Sequence, residues 1–259
     1  MTLDSGFYNL DCMEAMKEFP DGFFDLAIVD PPYGDGQDAP EKCVGGSRRL
    51  DFTKGTGGTD TVTRRHSKQR SDPVQEVFKG DAVREKLPER RGGTWAEQYG
   101  RKIIAWDTAP GKEYFDELFR VSRNQIIWGG NYFNLPPTRC FLIWRKLTIS
   151  ESFSMAMCEY AWTSFNSNAK WIEIAPQGKT KDPRFHPTQK PVALYDWILA
   201  NYAQPGMKIL DTHVGSASSL IACQRAGLEY WGFEIDPDYY MAAKSRLERE
   251  TAQANMFEL

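Results

Sequence analysis

The sequence predicts an α/β fold built on a mostly parallel sheet, and three observations predict it. Near the start, Phe23 to Val29 is a short apolar run bounded by Pro20-Asp21-Gly22 and by two prolines, the pattern of a strand buried on both faces. Near the end, Lys208-Ile209-Leu210-Asp211 reads as a second strand, followed by a small-residue turn and a helix that Gly227 stops. A third strand, Tyr230 to Phe233, then ends in Glu234, which completes the strand, turn, helix, strand order of a parallel crossover unit.

The remaining elements fill in between. Met13 to Phe19 reads as a short helix with Asp11 as its cap, and Glu113 to Val121 as an amphipathic helix. Gln125 to Trp128, Cys140 to Trp144 and Tyr160 to Thr163 read as strands. Val192 to Tyr202 is an apolar-periodic helix that Pro191 can start, and Asp238 to Leu247 is the last helix. A chain of 259 residues with 41% hydrophobic and 13% aromatic content buries enough core for one α/β domain over residues 1–259, with insertions.

Asp30-Pro31-Pro32-Tyr33 follows the first apolar run directly, which places Asp30 at the carboxyl end of a buried strand, where open α/β sheets bind ligands. Two prolines in succession fix the turn and remove two N–H groups, leaving carbonyls free to accept. An aromatic amine is a poor nucleophile until its lone pair is localised, and two acceptors aimed at its N–H bonds favour the reactive form. Asp30 supplies a carboxylate, Pro31 a carbonyl and Tyr33 a ring on which a base can stack, so Asp30, Pro31, Pro32 and Tyr33 form the candidate catalytic set. Taken alone, the tetrapeptide reads equally well as a capped polyproline turn.

The second signal is Asp211-Thr212-His213-Val214-Gly215-Ser216-Ala217-Ser218, a close-approach turn with an acid, Glu234, about 20 residues further on that can take two ribose hydroxyls. The turn lacks G-x-G-x-x-G and a following Lys-Ser/Thr, which argues against a pyrophosphate or triphosphate ligand. A cofactor with ribose and no phosphate fits, and S-adenosylmethionine is one.

With His186-Pro187-Thr188-Gln189-Lys190-Pro191 lying between these two motifs, the chain resembles the β-class DNA adenine-N6 methyltransferases, in which a catalytic Asp-Pro-Pro-Tyr precedes a His-Pro-Thr-x-Lys-Pro segment and then the cofactor turn. The resemblance implies a circularly permuted, Rossmann-like methyltransferase sheet of seven strands, with the chain starting on the third strand of the usual order. It implies transfer of a methyl group from S-adenosylmethionine to N6 of adenine in double-stranded DNA, the base leaving the duplex to be reached. Gly6 to Cys12 resembles the strand and turn whose acid and next residue, Asp11 and Cys12, contact the cofactor's adenine. Thr188 and Lys190 would border the cofactor's carboxylate, and Asp30, Asp211, His213, Gly215, Ser216, Ala217, Ser218 and Glu234 complete the candidate cofactor site. The turn departs from the family's Asp-Pro-Phe-x-Gly-Ser-Gly at Thr212, His213 and Ala217; His213 is read first as packing.

A net charge of −3 argues against nucleic acid unless charge is unevenly spread, and it is. Lys42 to Arg70 holds eight basic residues against Asp51 and Asp60, and it is rich in glycine, so residues 35–105 are expected to be a flexible insertion that contacts DNA. Residues 164–185, polar and turn-rich, are the candidate target-recognition segment, and Tyr132 or Phe133 a candidate wall for the base. Five scattered cysteines without a C-x-x-C pair suit free thiols in a reducing compartment, and no metal is expected. The chain has no membrane-length apolar run or secretory leader, so a cytoplasmic location is expected. The resemblance carries a family expectation of homodimerisation and leaves a restriction-enzyme partner open. Two rivals remain at this stage: cytosine-N4 methylation, which uses the same geometry with Ser usual in place of Asp, and a non-catalytic DNA-binding homologue.

Overall fold

The computed structural model describes residues 3–34, 108–149, 156–176 and 184–257, all within one unit of the chain. The whole of the expected DNA-contacting insertion, 35–105, including Lys42 to Arg70 with Cys43 and His66, and residues 177–183 of the expected recognition segment lie outside the described residues. Eight strands form one sheet: β1 (Gly6–Tyr8), β2 (Leu26–Val29), β3 (Gln125–Trp128), β4 (Phe141–Lys146), β5 (Cys158–Thr163), β6 (Lys170–Ile174), β7 (Lys208–Asp211) and β8 (Glu229–Phe233). Their spatial order is β1-β8-β7-β2-β3-β5-β4-β6. Pairing is parallel throughout except where β5 runs antiparallel to both β3 and β4.

The sheet therefore has one strand more than the seven expected. The addition is β6, on the edge beside β4, inside a stretch whose polar composition reads as turns. Lys170-Trp171-Ile172-Glu173-Ile174 alternates only weakly, and an edge strand with one open side tolerates that composition.

Leu26 and Ile28 of β2 point to one face of the sheet and Ala27 and Val29 to the other, and both faces are covered. On the first face lie α3 (Val192–Tyr202) and α4 (Ser218–Arg225), whose Leu194, Ile198 and Ala222 pack with Ile126, Trp128 and Ile209. On the second lie α1 (Cys12–Met16) and α2 (Lys112–Val121), whose Met16, Phe115 and Leu118 pack with Ile127, Leu210 and Phe233. The last helix, α5 (Pro237–Phe257), sets Ala243 and Leu247 against Leu220 and Ile221 of α4. Among the described residues no helix is long and apolar enough to cross a membrane.

Helix limits follow local chemistry. Asp11 accepts a hydrogen bond from the Met13 N–H at 2.7 Å and so caps α1. Pro191 precedes α3, and Gly227, at φ +64°, takes the left-handed position that ends α4.

The sheet is tight where α4 crosses β8. A methyl group added at Gly232 would sit 2.7 Å from Leu220 Cδ1 and 2.8 Å from Val214 Cγ2, both buried. Gly232→Ala is expected to lower stability by about 1–3 kcal/mol in urea unfolding, because neither side chain has room to retreat. An unchanged midpoint would show that α4 can lift from the sheet without loss.

Candidate active site

From β2 the chain moves outward to β3, and from β7 it moves the other way to β8, so the sheet reverses direction between β2 and β7. Such a switch point leaves a crevice at the carboxyl ends of the strands. A cavity of about 510 Å³ occupies it, within the range of small-molecule and cofactor sites. Its walls are the segments that leave β1, β2, β7 and β8, with Tyr114 from α2, Tyr195 from α3 and the His186 to Lys190 region around them. All four candidate catalytic residues line it, as do Asp11, Cys12, Thr188, Lys190, His213, Gly215, Ser216, Ser218 and Glu234; Asp211 and Ala217 do not.

The turn after β7 is built from below. Ala217, at φ +62°, is the non-glycine residue in the left-handed region among those described, a conformation costing roughly 1–2 kcal/mol in an L-residue. It is held by its N–H on the Val214 carbonyl, 3.1 Å, and by buried Arg246 of α5, which donates to the Ser216 carbonyl at 2.6 Å and to Ser218 Oγ at 2.9 Å. Ser218 Oγ in turn donates to the Lys190 carbonyl at 2.7 Å, tying the turn to the His186 to Lys190 segment. Asp211 accepts from the His213 N–H at 3.0 Å and from Ser219 Oγ, so it braces the turn. Burial pushes its carboxyl up to about 7 against those two bonds.

Glu234 links two of the cavity's walls. Its Oε2 accepts from the Gly215 N–H and its Oε1 from the Asp236 N–H, each at 2.9 Å, and burial raises its carboxyl above the usual range. Each oxygen keeps a second lone pair for a ligand hydroxyl. The Cys12 thiol, pushed up to about 12 by burial, is no nucleophile.

Where the family turn is apolar, this chain has a polar cluster. Tyr114 Oη and Thr212 Oγ1 are 2.6 Å apart, Thr212 Oγ1 lies 2.9 Å from His213 Nδ1, and the Tyr114 and His213 rings meet edge on at 5.4 Å. Burial lowers the His213 imidazole to about 4 and that of His186 to about 3, so both rings are neutral at physiological pH. Thr188 Oγ1 lies 3.2 Å from His186 Nδ1.

Asp30 stands at the head of a buried row of charges. The Tyr33 hydroxyl donates to its Oδ1 at 2.9 Å, and the Lys190 ammonium donates to its Oδ2. Lys190 Nζ is also 3.2 Å from Glu159 Oε2 on β5, and Glu159 Oε1 is 2.6 Å from Lys146 Nζ on β4. The Trp128 ring lies 5.4 Å from the same ammonium. Burial raises the Asp30 carboxyl, Lys190 pulls it back, and the net direction is up. Burial would depress Lys190, but Asp30 and Glu159 more than reverse that.

Tyr33 is placed by a glycine. Gly129, at φ +66°, leaves a gap that the Tyr33 ring fills; a Cβ there would fall 2.0 Å from Tyr33 Cε1. Tyr132 stacks on the other side of that ring at 4.6 Å, with Phe133 edge on at 6.2 Å. Glu159, Lys146 and Tyr114 carry no motif in the sequence; only the fold brings them to the site. Among the described residues no His, Cys, Asp and Glu group could hold a metal ion.

The family model described as DNA methylase, which covers N6 and N4 enzymes, matches residues 59–245. The match begins beyond Asp30-Pro31-Pro32-Tyr33, so that motif stands on its own geometry. "Putative methylase YubD" of Escherichia coli (strain K12) is 24% identical over 252 residues, covering 94% of this chain and 90% of that protein. Type II methyltransferase M.HpaI of Haemophilus parainfluenzae is 36% identical over 70 residues, 27% of this chain and 22% of that protein. Among solved structures, the PvuII DNA methyltransferase (cytosine-N4-specific) aligns over 98% of this chain and 93% of its own, with a TM-score of 0.53 and 12% identity, a likeness of fold.

The raised Asp211 carboxyl makes stability depend on pH. The folded chain keeps that proton up to about pH 7 and the unfolded chain only to about pH 4, so stability is lost as pH rises between the two. Asp211→Asn keeps an acceptor for the His213 N–H without a charge to bury. It should exceed the parent by about 1–2 kcal/mol in urea unfolding near about pH 8.5, with the advantage gone by about pH 4. A variant weaker than its parent at the higher pH would mean that the bonds to the charged carboxylate outweigh its burial.

Proposed function

Because the chain belongs to the N6/N4 DNA methylase family, we propose that it transfers a methyl group from S-adenosylmethionine to N6 of adenine in duplex DNA. The observation that carries the reading is the position of Asp30: a carboxylate at the end of β2, on the cavity wall, across the switch point from the turn after β7. Asp at this position, where the N4 enzymes that the chain resembles usually have Ser, favours adenine.

The residues present fit the cofactor. A ribose needs an acceptor for its hydroxyls, which Glu234 offers, and the left-handed Gly215 lets the backbone come close to a ligand. Neutral His186 and His213 add no positive charge beside a cationic sulfonium. When bound, S-adenosylmethionine supplies an electrophilic methyl group.

The chain's own residues then act on the base. Asp30 accepts one amine N–H through a lone pair that Tyr33 and Lys190 leave open, and the Pro31 carbonyl accepts the other, localising the nitrogen lone pair. Asp30 is also the base for the proton that the nitrogen loses. Tyr33, held against Gly129 and stacked with the half-exposed Tyr132, contributes an aromatic wall of the cavity for a base turned out of the duplex. We assign contact with DNA phosphates to the basic insertion 35–105, on its charge, and target reading to 164–185, on the polar composition around β6.

The deciding experiment incubates the protein with S-adenosylmethionine and mixed-sequence duplex DNA, then identifies the modified nucleoside by mass spectrometry and maps its sequence context. N6-methyladenine is expected. N4-methylcytosine would overturn the base assignment, and tight cofactor binding without any modification would make the chain a non-catalytic homologue. Asp30→Ala should reduce methyl transfer by at least about 1000-fold with duplex binding largely retained, since the acceptor acts chiefly in the transition state. Glu234→Ala should weaken cofactor binding in calorimetry by at least about tenfold. Unchanged affinity would place the ribose elsewhere.

A further inference from the structure

We propose that Lys190 is a positioning residue for the Asp30 carboxylate, with Glu159 as the counter-ion that limits it, rather than a ligand of the cofactor. The inference rests on the reading of Asp30 as the amine acceptor. It departs from the position that the motif around Lys190 implies, which is a border of the cofactor's carboxylate.

The geometry leaves Lys190 little freedom for that other task. Its ammonium donates to Asp30 Oδ2, lies 3.2 Å from Glu159 Oε2 and faces the Trp128 ring. Its side chain is 4% exposed. The ammonium gives one N–H to Asp30 Oδ2, at the end of β2, and is ion-paired at 3.2 Å with Glu159 Oε2 on β5, an oxygen that accepts no hydrogen bond. Lys146, 7% exposed, binds the far side of Glu159, so the charges along the row alternate, Asp30, Lys190, Glu159, Lys146.

The alternation has a chemical consequence. An amine that gains a methyl group becomes cationic until it loses a proton, and Asp30 must then be both charged and available. A lysine alone would hold Asp30 charged but compete with the developing cation for it. Glu159 draws part of that ammonium's field away, so Lys190 opposes the effect of burial on the carboxylate without fully neutralising it. Tyr33 fixes the other oxygen and so orients the plane of the carboxylate toward the cavity.

The other ionisable groups around Asp30 are few. Tyr114 of α2 and Tyr195 of α3 interact with it as neutral phenols, since burial raises both well above their usual range. Asp211 at the end of β7 repels it across the switch point, and that carboxyl titrates at about 7. Lys190 is therefore the cation that opposes burial at Asp30, while Glu159 acts in the opposite sense.

The test reads Asp30 directly, in protein labelled with ¹³C at aspartate carboxyl carbons and free of cofactor and DNA, with the resonance assigned by its loss in Asp30→Asn and kept apart from Asp211 by Asp211→Asn. Lys190→Met should raise the Asp30 midpoint by at least about one pH unit, Lys190→Arg should restore it, and Glu159→Gln should lower it. In the active enzyme, the acid limb of the kcat profile should move with each variant in the same direction. If Lys190→Met raises the KM for S-adenosylmethionine while the Asp30 midpoint stays in place, Lys190 is a cofactor ligand and the proposal is wrong. Should Lys190→Met fail to fold, Glu159→Gln decides alone: no fall in the Asp30 midpoint overturns the proposal. Because the titration needs no turnover, its outcome is separate from whether adenine is the base.

Discussion

The parallel pairing of β2 with β7 is the constraint on which the rest of this molecule depends. The two strands are 183 residues apart in register, joined by Leu26 against Ile209 and Ala27 against Leu210, and locked at one end by mutual bonds between Asp25 and Lys208. Strands so far apart in the chain close a long loop when they pair, which makes this contact costly in loop entropy. What it yields is a crevice whose two lips come from opposite ends of the sequence. The turn that carries Asp30 and the turn that carries Gly215 face each other because β2 and β7 are neighbours. The same chain could not build that crevice from either motif alone.

Charge burial is the second theme, and stability does not explain it. Desolvating Asp30, Lys190 and Glu159 removes several kcal/mol of hydration from each, and their mutual attraction does little more than restore it. A row of apolar residues would stabilise the fold equally well. What apolar residues would not do is set a cation beside the Asp30 carboxyl on the cavity wall to oppose the burial that raises it. Asp211 shows the contrast. It is more deeply buried, has no lysine partner, and its carboxyl rises to about 7; its service is to brace a turn through two hydrogen bonds, which asks less of its charge.

Much of this was legible in the sequence wherever a motif and its element coincide. Gln125 to Trp128 and Val192 to Tyr202 were read with the boundaries that the fold has, because each combines a clean apolar pattern with a sharp local stop or start. The crevice residues were legible because turn chemistry is local: glycine for the left-handed position, prolines for rigidity, an acid at a strand end. Partners across the sheet were not. Glu159 and Lys146 sit on β5 and β4 in sequences that read as ordinary strands, and nothing within several residues of either hints that Lys190 will be their neighbour. β6 was missed for another reason, since an edge strand needs apolar residues on one side only and can be mostly polar. Asp211 and Ala217 belong to the turn after β7 that pattern singled out as a cofactor site, yet pattern could not say that they lie beneath that turn and off the cavity wall.

The altered turn shows how a departure from a family pattern can be absorbed without opening the site. Thr212 and His213 replace apolar and aromatic residues with groups that need partners, and buried polar groups without partners are costly. Here Tyr114, arriving from α2 on the other side of the chain, binds Thr212 Oγ1, and that hydroxyl lies within reach of His213 Nδ1. The Thr212 hydroxyl and His213 Nδ1 thus answer one another, and burial keeps the imidazole neutral. Ala217 is absorbed differently: its left-handed backbone is held by Arg246, which reaches from α5 to the Ser216 carbonyl and Ser218 Oγ. The substitutions therefore shift the burden of shaping the turn from its own residues to two distant helices. A turn of glycine and proline shapes itself; this one is shaped by the fold around it.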